Sequence, residues 1–425
     1  MKHRHALFVA FHVPPEASSS GVLRTLKYIR YLDELGWRVT VVCPDVEAYA
    51  ITDSALESQF PRSCRVVRTR FLNTKRHLSL FRRYPALLAV PDAWVGWLPW
   101  GVAAGARTFA SDPFDLVYST SPHATAHLIA WRIAKRTRRP WVADFRDPWF
   151  EDDPEPGAPS GPVFRGIDRW LERRVIESCQ AVVTSTTSLR DTLRARYRRE
   201  APEKFTAIFN GYDEADFASL PVETRSDTDL VVLHAGIVNG EFRDPRPLFV
   251  AVRRCADEGL IAIDRLRIRF LGGGSFGEST EVTAAVRQLG LDRIVEFLPR
   301  VPYAESLREL AGADVLLLLQ SSPDTTGLVP AKLYEYLRAQ KPVVALVQSG
   351  ATGEILGMVR GGWTADPDDA NALHAVMAEV FARWRAGTLR DEKADLSLLR
   401  RFDRKALTAE LALLFDRLHA GRTNE

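Results

Sequence analysis

The chain has little sulphur. Its 425 residues hold four cysteines and three methionines. Cys43, Cys64, Cys179 and Cys255 stand at least twenty residues apart with no Cys-x-x-Cys pair. That spacing excludes a zinc ribbon or a disulfide-stapled fold, and it suits a reducing compartment. Long apolar runs are lacking too. The run over 6–11 is too short for a secretory signal and has no small-residue cleavage site behind it. Residues 85–106 carry one charge, Asp92, but Pro91 and Pro99 interrupt them. No leader and no transmembrane helix is expected, hence a cytoplasmic chain. The loop after the first strand lacks a Gly-x-Gly-x-x-Gly fingerprint, which argues against a nicotinamide cofactor there. No internal repeat is visible, so solenoids and propellers are excluded.

What is present is average in amount and uneven in place. At 46% hydrophobic and 26% charged the composition is that of a globular protein, and the length allows two or three domains. Of the 57 Lys plus Arg and 54 Asp plus Glu, residues 1–205 hold 31 and 22, a net of +9, which leaves −6 for the rest. A basic half suits an anionic partner such as phospholipid, pyrophosphate or nucleic acid.

Short β-branched and apolar runs alternate with helical patterns, the signature of βαβ units, so the fold class is α/β. Strands are expected over 6–10, 38–43, 116–119, 141–144 and 181–184, with helices over 21–35, 124–136, 165–179 and 188–197 between them. A second series has strands over 230–234, 267–271, 295–297, 315–319 and 343–346. Its helices are expected over 247–258, 280–288, 305–311, 332–338 and 370–385. The Asn210-Gly211-Tyr212-Asp213 cluster and the polar stretch 221–229 separate the two. We therefore expect one Rossmann-like, doubly wound domain over 1–210 and another over 222–390, facing across a cleft. The acidic, Pro/Gly-rich stretch 151–162 reads as a mobile loop. In the tail 391–425, Leu399, Phe402, Leu407, Leu411, Leu414, Phe415 and Leu418 recur at helical spacing, which predicts a helical brace on the first domain.

Open parallel sheets bind ligands beyond the carboxyl ends of their strands, so residues that follow strands are the candidates. After the first strand, Pro14 to Arg24 includes small residues and opens a helix at Gly21. Such a loop either receives a phosphate on backbone N–H groups or merely caps the helix. His123 follows the strand at 116–119, and Arg146 and Asp147 follow the strand at 141–144. They suit orientation of a sugar hydroxyl and neutralisation of phosphate charge, or a loop network that fixes shape only. Gly236, Arg243 and Arg246 leave the strand at 230–234, and Gly272 ends the next. Last comes Gly327-Leu328-Val329-Pro330-Ala331-Lys332-Leu333-Tyr334-Glu335, a glycine loop opening a helix. Lys332 and Glu335 share one face, as donor contacts or as a surface pair.

These stretches resemble the retaining nucleotide-sugar glycosyltransferases of glycosyltransferase family 4, which have the two-domain GT-B architecture. The resemblance covers nearly the whole chain. It lies in PP-x5-G-x2-R, S-P-H, A-D-F-R-D-P-W, F-N-G-Y-D, L-G-G-G, F-L-P-R-V-P and P-A-K-L-Y-E-Y-L-R-A-Q-K-P-V-V, in that order. It implies that Gly21 and Arg24 contact donor phosphates with Gly236, Arg243, Arg246, Gly272, Gly327, Leu328 and Lys332. It also implies that the Val301 backbone meets the nucleobase, that Glu335 takes the ribose hydroxyls, and that His123, Arg146 and Asp147 approach the transferred sugar. One departure stands out. The family often carries a sugar-facing glutamate eight positions before the one matching Glu335, and that position is Gly327. The resemblance implies transfer with retention from a nucleoside diphosphate sugar to a glycan or lipid-linked acceptor, in cell-surface polysaccharide assembly. No cofactor and no metal are expected, since arginines, Lys332 and helix N-termini neutralise the departing diphosphate.

Between Glu57 and Asp92 the chain has no acidic residue but eight basic ones, Arg62, Arg65, Arg68, Arg70, Lys75, Arg76, Arg82 and Arg83, followed by Trp94, Trp97 and Trp100. An anionic membrane surface is the expected partner and the inner face of the cell membrane the expected place. The other reading is a solvated loop followed by core tryptophans. Nucleic acid is not expected, because no nucleic-acid-binding motif accompanies the charge. A non-catalytic nucleotide-sugar binder or membrane scaffold and a nucleotide-sugar 2-epimerase of like fold are the rival readings of the whole.

Overall fold

Strands without polar alternation, such as Val-Leu-Leu-Leu-Leu-Gln over 315–320, are what a parallel sheet covered on both faces demands. The computed structural model describes residues 4–19, 21–79, 84, 86–149, 161–218, 220, 229–240, 242–272, 274–277, 279–322 and 325–423. Most of the expected loop over 151–162 and of the polar stretch 221–229 lies outside these residues.

The first sheet comprises β1 (Arg4–Ala10), β2 (Trp37–Pro44), β3 (Arg65–Thr69), β4 (Leu116–Thr120), β5 (Trp141–Phe145), β6 (Ala181–Thr184) and β7 (Phe205–Ala207). All pairs are parallel, in the order β3-β2-β1-β4-β5-β6-β7. The second comprises β8 (Leu230–Ala235), β9 (Leu266–Leu271), β10 (Val295–Leu298), β11 (Val315–Gln320), β12 (Val343–Val347) and β13 (Gly362–Ala365). It too is parallel, in the order β10-β9-β8-β11-β12-β13. Both are doubly wound, and the winding reverses beside β1 and β4 in one and beside β8 and β11 in the other. At such a reversal the loops part and leave a crevice.

Three short strands escape the sequence pattern. β3 is an edge strand that carries Arg65 and Arg68, β7 has three residues, and β13 begins on a glycine. The helix Leu98–Ser111 was hidden by its glycines and alanines, with Pro99 accommodated in its first turn.

The chain forms two compact units. The first holds Met1–Asn210 together with Arg404–Glu425, the second Gly211–Asp403. The helix Arg404–Thr423 buries Leu407, Leu411, Leu414 and Phe415 in the first unit, among Phe8, Tyr28 and Tyr118. Trp37 donates to Asp416 at 2.9 Å, and Arg4 pairs with the same carboxylate. The apolar tail is thus two pieces. Its earlier part, with Leu399 and Phe402, belongs to the second unit, where Phe402 packs on Tyr334 at 5.1 Å. No helix among the described residues is long and apolar enough to cross a membrane.

Candidate functional site

In the second unit, β8 runs out into Gly236, whose φ is +141°. A Cβ at this position would overlap the Lys332 ammonium, so glycine is what lets that ammonium lie over the strand end. The helix Lys332–Arg338 is tied to the same strand by buried Tyr336, whose hydroxyl accepts the Ala235 N–H at 2.8 Å. Burial, with Arg243 nearby, lowers the Lys332 pKa to about 7, although Glu335 opposes the shift. Burial lowers the Arg243 pKa as well, and among the described residues its guanidinium has no ion-pair partner. Two cations brought close with little water between them form a place for an anion.

Glu335 follows one turn later on the same face. Its Oε1 accepts from Tyr303 Oη at 3.0 Å, and Tyr303 also reaches Asp216 at 3.3 Å. Tyr303 opens the helix Tyr303–Gly312, two residues beyond half-buried Val301 in the loop that leaves β10. Gly272 ends the neighbouring β9 at φ +81° and donates to Leu298 at 2.9 Å. Gly327 and Leu328 lie in a turn closed by Leu328 N–H to Thr325 O at 2.9 Å. Gln320, at the end of β11, donates to Thr325 O at 2.6 Å and Leu328 O at 3.2 Å, and Thr352 donates to Gln320 at 2.6 Å. A glycine loop often called flexible is here held by side chains. Arg246 does not join the cluster. Asp244 grips its guanidinium at 2.6–3.0 Å at the start of the helix Arg246–Asp257, and Glu281 lies at 3.6 Å.

In the first unit, the loop after β1 is shaped by Glu16, which is 1% exposed. His12 Nδ1 lies 2.9 Å from its carboxylate, and both the N–H and the hydroxyl of Ser18 donate to it. The His12 ring stacks on His123 at 5.7 Å. Burial, then the fields of His12 and Arg146, lowers the His123 pKa to about 3, so this imidazole is neutral at physiological pH. Gly21 begins the helix Gly21–Glu34, and a Cβ there would overlap the Arg146 guanidinium. Among the described residues, Arg146 Nη1 is buried without a hydrogen-bond partner. Asp147 is half-buried and close enough to act on His12. Gly21, His123, Arg146 and Asp147 thus gather where β1 and β4 diverge.

Arg24, expected at the phosphates, is instead part of the framework. It is 2% exposed and meets Asp144 through Nε at 3.2 Å and Nη2 at 3.0 Å, then Ile208 O and Phe209 O at 2.9 and 2.7 Å. Asp144 also accepts from Tyr118 at 2.6 Å and Thr120 at 2.9 Å. Burial alone would raise the Asp144 pKa, but Arg24 and these donors hold it below the usual carboxylate range. His123 and His127 stand four apart without converging, since His127 turns to Ser119 at 2.8 Å and stacks on Phe145. Among the described residues, no three His, Cys, Asp or Glu side chains gather as around a metal ion. Sequence reading passed over His12, Glu16, Tyr303 and Tyr336, although Glu16 lies inside the Pro14–Arg24 stretch that it singled out.

The basic run is also sorted by the fold. Arg68 pairs with Glu57 at 2.6 Å, and Arg76 donates to Glu47 O at 2.7 Å. Arg65, Arg68, Arg70 and Arg107 line a pocket of about 490 Å³ with Trp100, between β3 and the helix Leu98–Ser111. Trp97 is fully buried and donates to Thr69 at 2.7 Å, while Trp94 packs on Phe11 at 4.5 Å. These two tryptophans serve the core, not an interface. Arg82 and Arg83 lie outside the described residues.

The two sheets, their order and the helices covering them find close parallels among known structures. Sucrose-phosphate synthase from Thermosynechococcus elongatus superposes with a TM-score of 0.68 at 15% identity, over 98% of this chain and 100% of that one. HepE of Anabaena, solved with UDP, gives 0.67 at 16% identity over 97% and 99%. The chain has the GT-B fold. Residues 21–211, most of the first GT-B domain, match the glycosyl transferase 4-like domain family. The probable glycosyltransferase WbjE of Pseudomonas aeruginosa is 30% identical over 123 residues, 28% of this chain. The chain spans about 30% of that relative's length.

Proposed function

We propose that this protein is a retaining, metal-independent glycosyltransferase that moves a hexose from a nucleoside diphosphate sugar to a glycan or lipid-linked acceptor. Its place in this reading is the inner face of the cell membrane, in cell-surface polysaccharide assembly. The observation that carries it is Lys332 lying over Gly236 beside Arg243, with Glu335 one helical turn away held by Tyr303. A diphosphate meets the two cations, the ribose hydroxyls meet Glu335, and the nucleobase meets the Val301 backbone. HepE, of the same fold, is solved with UDP-glucose, which favours a uridine donor. As the sugar leaves, negative charge grows on the diphosphate, and Lys332 and Arg243 stabilise it more than they stabilise the bound donor. The departing phosphate oxygen takes the acceptor proton. Arg146 and the neutral His123 face the sugar. The exposed Arg65, Arg70 and Arg107 turn to anionic headgroups.

The test is UDP release from UDP-glucose and related donors in the presence of membrane extract. Glu335→Ala is expected to lower turnover at least tenfold, and equal turnover by both proteins would remove Glu335 from the site. Gly327, where related enzymes carry a glutamate, favours one second reading, a binder without turnover. UDP binding with no sugar transfer across a donor panel would establish it.

A further inference from the structure

The first unit has a second concavity at the wrong end of its sheet for the site just described. Pro140, just before β5, Trp141, which begins it, and Gln180, just before β6, border a pocket of about 930 Å³. Arg146 follows the opposite, carboxyl end of β5, and Ser121 and His123 follow that end of its neighbour β4. This pocket therefore lies outside the crevice where a donor or its sugar is placed, and it calls for its own account.

Its lining is basic and aromatic. Lys135, Arg138, Arg139, Arg174 and Arg417 face it with Trp131 and Trp170, and no described lining residue is acidic. The terminal carbonyls of the helix Ala124–Thr137 attract a cation or two, but five exceed what a helix end holds. Among the described residues, Arg174 has one carboxylate near it, Glu177 at 3.7 Å, and Arg139 Nε is buried without a hydrogen-bond partner, its guanidinium 5.1 Å from the ring of Phe109. Trp170 is 51% exposed, unusual for an indole, with the Arg174 guanidinium 5.7 Å from its ring. Arg132 lies likewise 4.9 Å from the ring of Trp131.

We propose that this pocket binds an acidic saccharide of two or three residues. Sugar rings lie flat on the indoles through their apolar C–H faces, and phosphate or carboxylate groups meet the arginines. A free phosphate needs no indole, an acyl chain needs apolar walls, and no nucleic-acid-binding motif accompanies these cations. The volume falls in the range of small-ligand sites.

The full chain is titrated with trigalacturonate and, as a neutral counterpart, maltotriose, followed by tryptophan fluorescence and calorimetry. Trigalacturonate is expected to bind at least tenfold tighter than maltotriose, and more weakly as salt rises. Trp170→Ala and the double variant Arg138→Gln/Arg417→Gln are each expected to weaken it at least fivefold. All three positions are exposed, so unchanged unfolding midpoints and unchanged stabilisation by UDP confirm intact variants. Equal affinity for the two sugars, or variants that bind like the wild type, overturns the proposal. So does loss of phosphatidylglycerol vesicle binding in these variants when trigalacturonate does not bind at all.

Discussion

Lys332 shows how burial and charge work against each other at one side chain. With its pKa near 7, a rising pH strips its proton before an anion arrives. A bound diphosphate raises that pKa, so binding takes up a proton. UDP affinity is therefore expected to fall as pH rises from about 6 to 9, with proton uptake seen as a dependence of calorimetric heat on buffer. Affinity that does not change with pH would contradict this. Tyr303→Phe removes one hydrogen bond to Glu335 and is expected to cost about 1 kcal/mol, or roughly fivefold in turnover. Arg24 belongs to stability. Arg24→Leu strands Asp144 in the interior, and unfolding by urea should show a loss of about 3–5 kcal/mol, much of it recovered when Asp144→Leu is added. Lys332 and Glu335 were legible because they sit three apart on one short helix. Tyr303 and Glu335, 32 positions apart, and Arg24 and Asp144, 120 apart, were not, because only the winding of the sheets brings them together. The Arg246 ion pair was hidden for the opposite reason: Asp244 is two residues away, and so local a pair leaves no trace in a motif.

At the scale of elements, strand pairing rests on a few positions that tolerate no side chain. Gly362 starts β13 at φ +142°, and a Cβ there would strike the backbone of Val343 in β12. Gly387 has φ +71° but open space around it. Gly387→Ala should therefore cost about 1 kcal/mol for its backbone alone, and Gly362→Ala clearly more, since β13 must leave its partner. Equal shifts in unfolding midpoint would refute the distinction. The buried central strands could be read directly, as in Val-Leu-Leu-Leu-Leu over 315–319, which is apolar on both faces. Edge strands face water on one side, so β3 looks like a basic loop and β13 like a turn.

Across the molecule, burial lowers the pKa of five histidines, His5, His12, His123, His127 and His234, below the usual 6.5. The unfolded chain takes up protons near pH 6.5 that the native chain refuses, so stability falls as pH drops below that value, by up to about 1.4 kcal/mol per unit for each group. Asp92 and Asp168, raised by burial, the latter to about 6, act in the other direction but are fewer. A lower urea midpoint at pH 5.5 than at pH 7.5 is expected, and a higher one would contradict it.

The helix Arg404–Thr423 covers the sheet face around Phe8 and Tyr118, although some four hundred residues separate it from β1 in sequence. During synthesis on the ribosome, the second unit is fully available before the first can be sealed. Nascent chains stalled before residue 404 should expose a greasy sheet surface to chaperones, and emergence of the helix Arg404–Thr423 should end that dependence.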